Sequence, residues 1–323
     1  MRPHFFASRR RNHPGAATAL AATALIGTLG ALTACSSGTD STAGSGDNDH
    51  LHIFATTGYL ADAAHNLAPE AEITTMVGPG GDPHTYQPST KDLESMKDAD
   101  LVLWNGLNLE AQMVDQLESL GDKQLAVGDK VDQDELLPWP DAPDQHDPHI
   151  WNSPTLWSQA VDAIGDKLAD MDPDDEVAYQ DRSADYQQQI ADAAADAEKD
   201  LSRVDTRVLV TGHDAFNYFG KTFNFTVHAT DFVSTEATKS APEISELADV
   251  IAKEKVPVIF KDNQANPQAV TSLKEAVKDR GWDVDVSDAE LFADTLGPTP
   301  PTDTYLGAFR HNAEAVADGL ATK

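Results

Sequence analysis

Short apolar runs recur along the chain, and between them apolar side chains return every three or four positions. The runs at 51–56, 72–77, 101–104 and 124–127 predict buried strands. The stretches at 58–67, 89–97 and 109–120 have helical spacing, with Ser89 or Thr90 as N-cap of the second. A second series follows residue 205. It predicts strands at 207–210, 226–229, 256–260 and 283–286, and helices at 215–223, 242–253, 266–279 and 304–320. Between the series, a helix capped by Ser153 runs to Met171 and breaks at Asp172-Pro173-Asp174. The segment up to 204 then keeps only a thin apolar line of Val177, Tyr186, Ile190, Ala194 and Leu201. A helix polar on most faces commonly bridges two bodies. Strands alternating with helices imply parallel sheets. The expected fold is α/β, with one lobe over 50–172, a linking helix over 173–204 and a second lobe over 205–323.

The N-terminal end has a different pattern. Arg2, Arg9, Arg10 and Arg11 precede an uncharged run of Ala, Leu, Thr and Gly over 15–34. It closes on Leu32-Thr33-Ala34-Cys35, which resembles a bacterial lipobox. The expectation is a lipoprotein signal over 1–34, lipidation at Cys35 and a flexible tether over 35–49. The alternative is a plain membrane anchor, since about 20 apolar residues can span a bilayer. The chain would then lie outside the cytoplasm, lipid-anchored to the cell membrane. Cys35 is the only cysteine, which excludes thiolate metal sites, intrachain disulfides and cysteine catalysis.

Net charge is −31, from 23 basic and 54 acidic side chains. Nucleic acid is a poor partner for such a chain, because phosphate binding needs clustered Lys and Arg. A monomer with a solvated acidic surface is expected.

Candidate chemistry centres on a repeated tripeptide, Asp82-Pro83-His84 and Asp147-Pro148-His149. Proline fixes its own φ and pushes the preceding Asp toward extended backbone, so each motif is a stiff loop presenting an imidazole. His213 follows the strand ending at Val210, and Asp294 lies beyond the last strand. In parallel α/β lobes, ligand groups gather past the strand C-termini. Two candidates then come from each lobe, which places a site in the cleft between them. Three imidazoles and one carboxylate would make a four-coordinate transition-metal site. Taken singly, Asp294 could be a helix cap and His213 a packed residue. The other histidines, His50, His52, His65, His146, His228 and His311, read as exposed or backbone-bonded. Asp82, Asp147 and Asp214 read equally as acceptors behind the histidines or as turn and cap residues. Trp104 and Trp151 read as core or cleft wall, and Tyr86 as packing or a shield over the metal.

Four motifs together resemble the metal-specific solute-binding lipoproteins of ABC importers, the zinc and manganese group. They are Gly-Gly-Asp-Pro-His-Thr-Tyr-Gln-Pro-Ser at 80–89, Asp-Pro-His-Ile-Trp at 147–151, Gly-His-Asp-Ala-Phe-Asn-Tyr-Phe at 212–219 and Leu-Phe-Ala-Asp at 291–294. The resemblance runs from about residue 51 to the end. It implies His84, His149, His213 and Asp294 as metal ligands, with His in the third position typical of zinc-type members. It also implies capture and delivery to a permease driven by an ATPase subunit, with no bond-making step. The sequence departs from many zinc-type members in one respect: the loop before His149 is short and acidic rather than histidine-rich. A glutamate common near 256–260 is also replaced, with Asp262 as candidate for its structural role.

The ligand set suits Zn²⁺ first and Mn²⁺ second. Because the imidazoles must be neutral to bind, affinity is expected to fall below about pH 6.5. A zinc hydrolase is the rival class, with Asp294 as base beside a His₃-bound water, although His-Glu-x-x-His is absent. A metal-free surface adhesin is a third.

Overall fold

The computed structural model describes residues 50–140, 142 and 144–321, so the expected signal, Cys35 and the tether lie outside the described residues. Four strands form the first sheet: β1 (His52–Thr57), β2 (Glu72–Val77), β3 (Leu101–Trp104) and β4 (Gln124–Ala126). All pair in parallel in the order β2-β1-β3-β4. Helices α1 (Gly58–Leu67), α2 (Thr90–Asp98) and α3 (Val114–Glu118) connect them. Ser89 is the N-cap of α2, in a reciprocal capping box with Asp92. Such a cap is worth about 1 kcal/mol.

Two long helices follow, α4 (Pro154–Met171) and α5 (Glu176–Leu201). The second half then contains β5 (Val208–Thr211), α6 (Asn217–Phe223), β6 (Thr226–Ala229), α7 (Ala241–Glu254), β7 (Val258–Asp262), α8 (Pro267–Asp279), β8 (Asp285–Leu291) and α9 (Tyr305–Leu320). Its strands pair in parallel as β5–β6 and β7–β8, with β5 beside β7.

Side-chain alternation along the strands explains how the layers stack. In the first lobe Ile53, Leu101 and Leu103 face a large central core, while Phe54, Val102 and Trp104 face a smaller one with Met96 and Leu117. In the second, Leu209, Val258 and Phe260 face the same central core, while Val210 and Ile259 face a separate cluster with Leu247 and Leu273. The shared core is filled by α1, α4, α5, α6 and α9. Helix α5 packs along α4, α1 and α9, so it contacts elements of both halves. The expected two-lobe α/β fold is present. Among the described residues, no helix is long and apolar enough to cross a membrane.

Two elements differ from expectation. The helix expected over 109–120 is reduced to α3. Gly106, Leu107 and Asn108 all have positive φ, and Glu110 turns inward to accept from Thr56 Oγ1 at 2.6 Å and Asn105 N at 2.8 Å. Those bonds hold the segment in turns. Strand β8 begins later and runs further than the expected 283–286. A bulge opposite β7 accommodates it, and its acidic, half-exposed pattern hides it from a reading by apolar runs.

Candidate metal centre

Each of the four candidate groups stands on a loop that the local sequence shapes. Asp82 accepts the backbone N–H of His84 at 2.9 Å and the hydroxyl of Thr85 at 2.8 Å, which fixes the turn rather than the ring. Asp147 does both jobs for His149. Its Oδ1 accepts the backbone N–H at 3.0 Å and lies 2.6 Å from ring Nδ1. With Nδ1 donating to Asp147, the lone pair of a neutral His149 sits on Nε2, facing the site. Asn217 Nδ2 donates to the other Asp147 oxygen at 3.0 Å, and the Tyr218 hydroxyl donates to the Asp147 carbonyl at 2.8 Å. Asn105 Nδ2 donates to the Pro148 carbonyl at 2.9 Å.

His213 is held through its backbone. Asp262 Oδ2, at the end of β7, accepts from Gly212 N at 2.8 Å and His213 N at 2.9 Å, bridging the seam between β5 and β7. This matches the structural role expected of Asp262. Gly212 is required by the close approach: a Cβ there would stand 2.2 Å from Ala265 Cβ. Asp294 sits on a loop clamped from three sides. Tyr59 Oη and Trp151 Nε1 both donate to the Ala293 carbonyl, at 3.0 and 2.8 Å. Asn263 accepts from Ala293 N at 2.8 Å and donates to the Thr295 carbonyl at 2.8 Å.

These loops bring His84, His149, His213 and Asp294 together, with one potential ligand atom from each lying within 4.8 Å of the others. The Nε2 atoms of His84 and His149 are 3.3 Å apart, and those of His149 and His213 are 3.1 Å apart. The Asp294 oxygens lie 3.3 Å from His149 and His213 Nε2, and 3.6 Å from His84 Nε2. Exposure is 0–2% for all four. The Asp294 oxygens have no hydrogen-bond partner beyond these ring nitrogens, a costly setting for a buried carboxylate. Three ring nitrogens and a carboxylate converging on one dry point make a receptor for a cation.

Electrostatics agree with that. Burial pushes the His84 imidazole down to about 3, so it is neutral. Burial also opposes charge on His149, but the Asp147 and Asp294 carboxylates outweigh it and hold the ring up to about 10. His213 is raised as well, by Asp294 against its own burial. Asp294 is held well below the usual carboxylate range by His213 and His149, despite its burial. Burial pushes Asp262 up to about 6.

The family model described as ZnuA, zinc-uptake complex component A, periplasmic, matches residues 53–319. The chain belongs to this family. Among ZnuA-type relatives, the manganese-binding lipoprotein MntA of Bacillus subtilis is 32% identical over 296 residues, covering 90% of this chain and 95% of that one. The zinc-binding protein TroA of Treponema pallidum is 35% identical over 275 residues, covering 83% of this chain and 88% of TroA. The solved structure of TroA aligns with a TM-score of 0.80 at 34% identity, covering 84% of this chain and all of that one. The resemblance to metal-specific solute-binding proteins of ABC importers is borne out. The chain is a metal-binding transport component, not an enzyme.

Within this ZnuA-type fold the remaining candidates separate. Trp151 is a wall of the site, edge-on to His149 at 5.2 Å between ring centroids and stacked on Tyr59. Trp104 is core. The Tyr86 hydroxyl donates to Asp92 at the start of α2 and does not shield the site. Asp214 accepts from Asn217 at 3.0 Å, one step away from Asp147. Sequence reasoning missed Tyr59, Asn217, Tyr218 and Asn263. The only local signal was the polar Asp262-Asn263-Gln264 run at the end of a buried strand. It also missed Thr235, whose hydroxyl donates to Asp82 at 2.6 Å and ties the loop after β6 to the His84 loop.

Proposed function

We propose that this chain captures one Zn²⁺ on His84, His149, His213 and Asp294 and hands it to the permease of an ABC importer. It acts outside the cytoplasm as a monomer, anchored by lipid on Cys35. The observation that carries the reading is the convergence of the four ligand atoms within 4.8 Å at a buried point. Three imidazole nitrogens and one carboxylate are a tetrahedral zinc donor set, whereas Mn²⁺ favours more oxygen ligands. TroA, named as zinc-binding, supports the same metal. All four positions are filled by side chains, so no coordination site is reserved for a reacting water, and a hydrolase is disfavoured.

Manganese is the second reading. It is favoured by the two Asp294 oxygens, which allow bidentate binding, and by the manganese-binding relative MntA. Titration of the chelator-stripped chain with Zn²⁺ and Mn²⁺ against a chromophoric competitor separates the two. One zinc per chain, held far more tightly than manganese, is the expected result. Manganese held as tightly as zinc would reverse the metal, and absence of stoichiometric binding would overturn the site.

A further inference from the structure

His149 has a carboxylate on its outer ring nitrogen; His213 does not. Its Nδ1 is buried without a partner. Buried imidazole nitrogens of this kind are rare, because a stranded donor costs about 1–3 kcal/mol. A second stranded atom lies nearby. Asp231 is 5% exposed, and its Oδ1 is also without a partner. The backbone places the two residues side by side: Asp231 N donates to the Gly212 carbonyl at 2.9 Å, next to His213. Thr230 reinforces the junction, donating through its hydroxyl to the same carbonyl at 2.9 Å. The Asp231 carboxylate feels the charge of His213, which opposes the effect of its burial. Two dry, unsatisfied side-chain atoms thus belong to residues whose backbones are joined at the C-terminal ends of β5 and β6.

We propose that Asp231 is the outer carboxylate of His213, receiving its Nδ1–H directly or across one buried water when a cation is held on Nε2. The inference rests on His213 being a ligand. A cation on Nε2 withdraws electrons from the ring and makes Nδ1–H a stronger donor, which strengthens the pull on Asp231. The residue begins the loop that Lys239 braces, through bonds from Nζ to the Ala229 and Asp231 carbonyls at 2.9 Å each. Thr235, four residues on, is bonded to Asp82 of the first lobe. The loop after β6 thus meets His213 at one end and the turn that carries His84 at the other.

Asp231 is a positioning residue, and zinc titration of the full chain tests it. Removing an outer partner of a metal-bound histidine typically costs 10–100-fold in affinity. Asp231→Ala is expected to weaken Zn²⁺ binding by about tenfold, mainly through faster dissociation. Asp231→Asn keeps an accepting oxygen and is expected to recover most of the loss; it also serves if the alanine variant fails to fold. In ¹⁵N-labelled, zinc-loaded protein, the His213 Nδ1–H proton should be protected from exchange in the parent and lost in Asp231→Ala. Unchanged affinity and an unchanged His213 resonance in both variants, with one zinc still bound, would overturn the role of Asp231 and leave the site intact. Parent-like binding by His213→Ala would overturn the ligand assignment beneath it.

Discussion

His149 and His213 bring the same ring nitrogen to the same point, and the regions behind them do so by different means. The 147–149 loop fixes the ring itself: one carboxylate takes both the backbone N–H and Nδ1 of His149. The 211–213 loop fixes only the backbone, through Asp262, and leaves the outer ring nitrogen bare. A proline-stiffened turn close to its own acceptor can orient a side chain locally. A strand end has no such turn, so it borrows a carboxylate from the neighbouring strand to hold the chain, while Asp214, next in sequence, turns to Asn217 instead. The first arrangement tunes the basicity of a ligand; the second tunes the position of a loop.

The strongest break in this comparison is removal of either ring. His149→Ala and His213→Ala are each expected to lower metal affinity by more than about 100-fold, beyond the range for loss of an outer partner. Competition with a chromophoric chelator measures it, and equal losses would show that both arrangements deliver full ligands. Removing the supports separates them. Asp147→Ala should cost about 10–100-fold in affinity with the fold intact. Asp262→Ala strands two buried N–H groups, so its expected signature is a loss of about 2 kcal/mol or more in metal-free stability by denaturant unfolding. If the two variants lose affinity and stability in the same proportion, the distinction between ring and backbone support fails.

Proton release sharpens the contrast further. With His149 held up to about 10, a proton occupies the metal-free site at neutral pH. A cation must expel it, so affinity should climb roughly tenfold per pH unit through the neutral range while one proton leaves. The fall expected only below about pH 6.5 from an ordinary imidazole is thus too low. Calorimetry in buffers of different ionisation enthalpy counts the proton, and Asp147→Ala should reduce the count. In the metal-free chain the same raised value stabilises the fold below the unfolded imidazole value of about 6.5, and that stabilisation is lost as pH rises through about 10. The smallest effect is expected for Thr235→Val. Losing one hydrogen bond to Asp82, worth about 0.5–1.5 kcal/mol, should speed metal dissociation a few-fold in stopped-flow release.

The four converging groups were legible in the sequence because each stands just past a strand or inside a proline turn, where a polar residue has no packing reason to be. Strands β1, β3, β5 and β7 were legible because they are buried along most of their length and carry short apolar runs. Among the supports, Asp147 and Asp262 were legible, and the others were not. Tyr59 and Trp151 look like ordinary core aromatics until their polar atoms are seen on the Ala293 carbonyl. Asn263 and Asp231 carry no periodic signal, since their roles come from which loops meet in space. The shortened helix before α3 escaped for a related reason: Glu110 fits a helical pattern, but its buried bonds to Thr56 and Asn105 outweigh that propensity.

The core shared by both sheets has a consequence for exchange of the cargo. Separating the lobes would expose Trp157, Tyr186, Phe219 and Phe309 together, all of them packed in that single layer. At about 25 cal/mol per Å² of apolar surface, such an opening costs as much as a large share of a domain's whole stability. Local opening is then expected first in the exposed segments around 78–84 and 234–240. Amide hydrogen exchange should slow in those segments when metal binds and stay the same along α5, so that the lifetime of the loaded state is written in two loops rather than in a hinge.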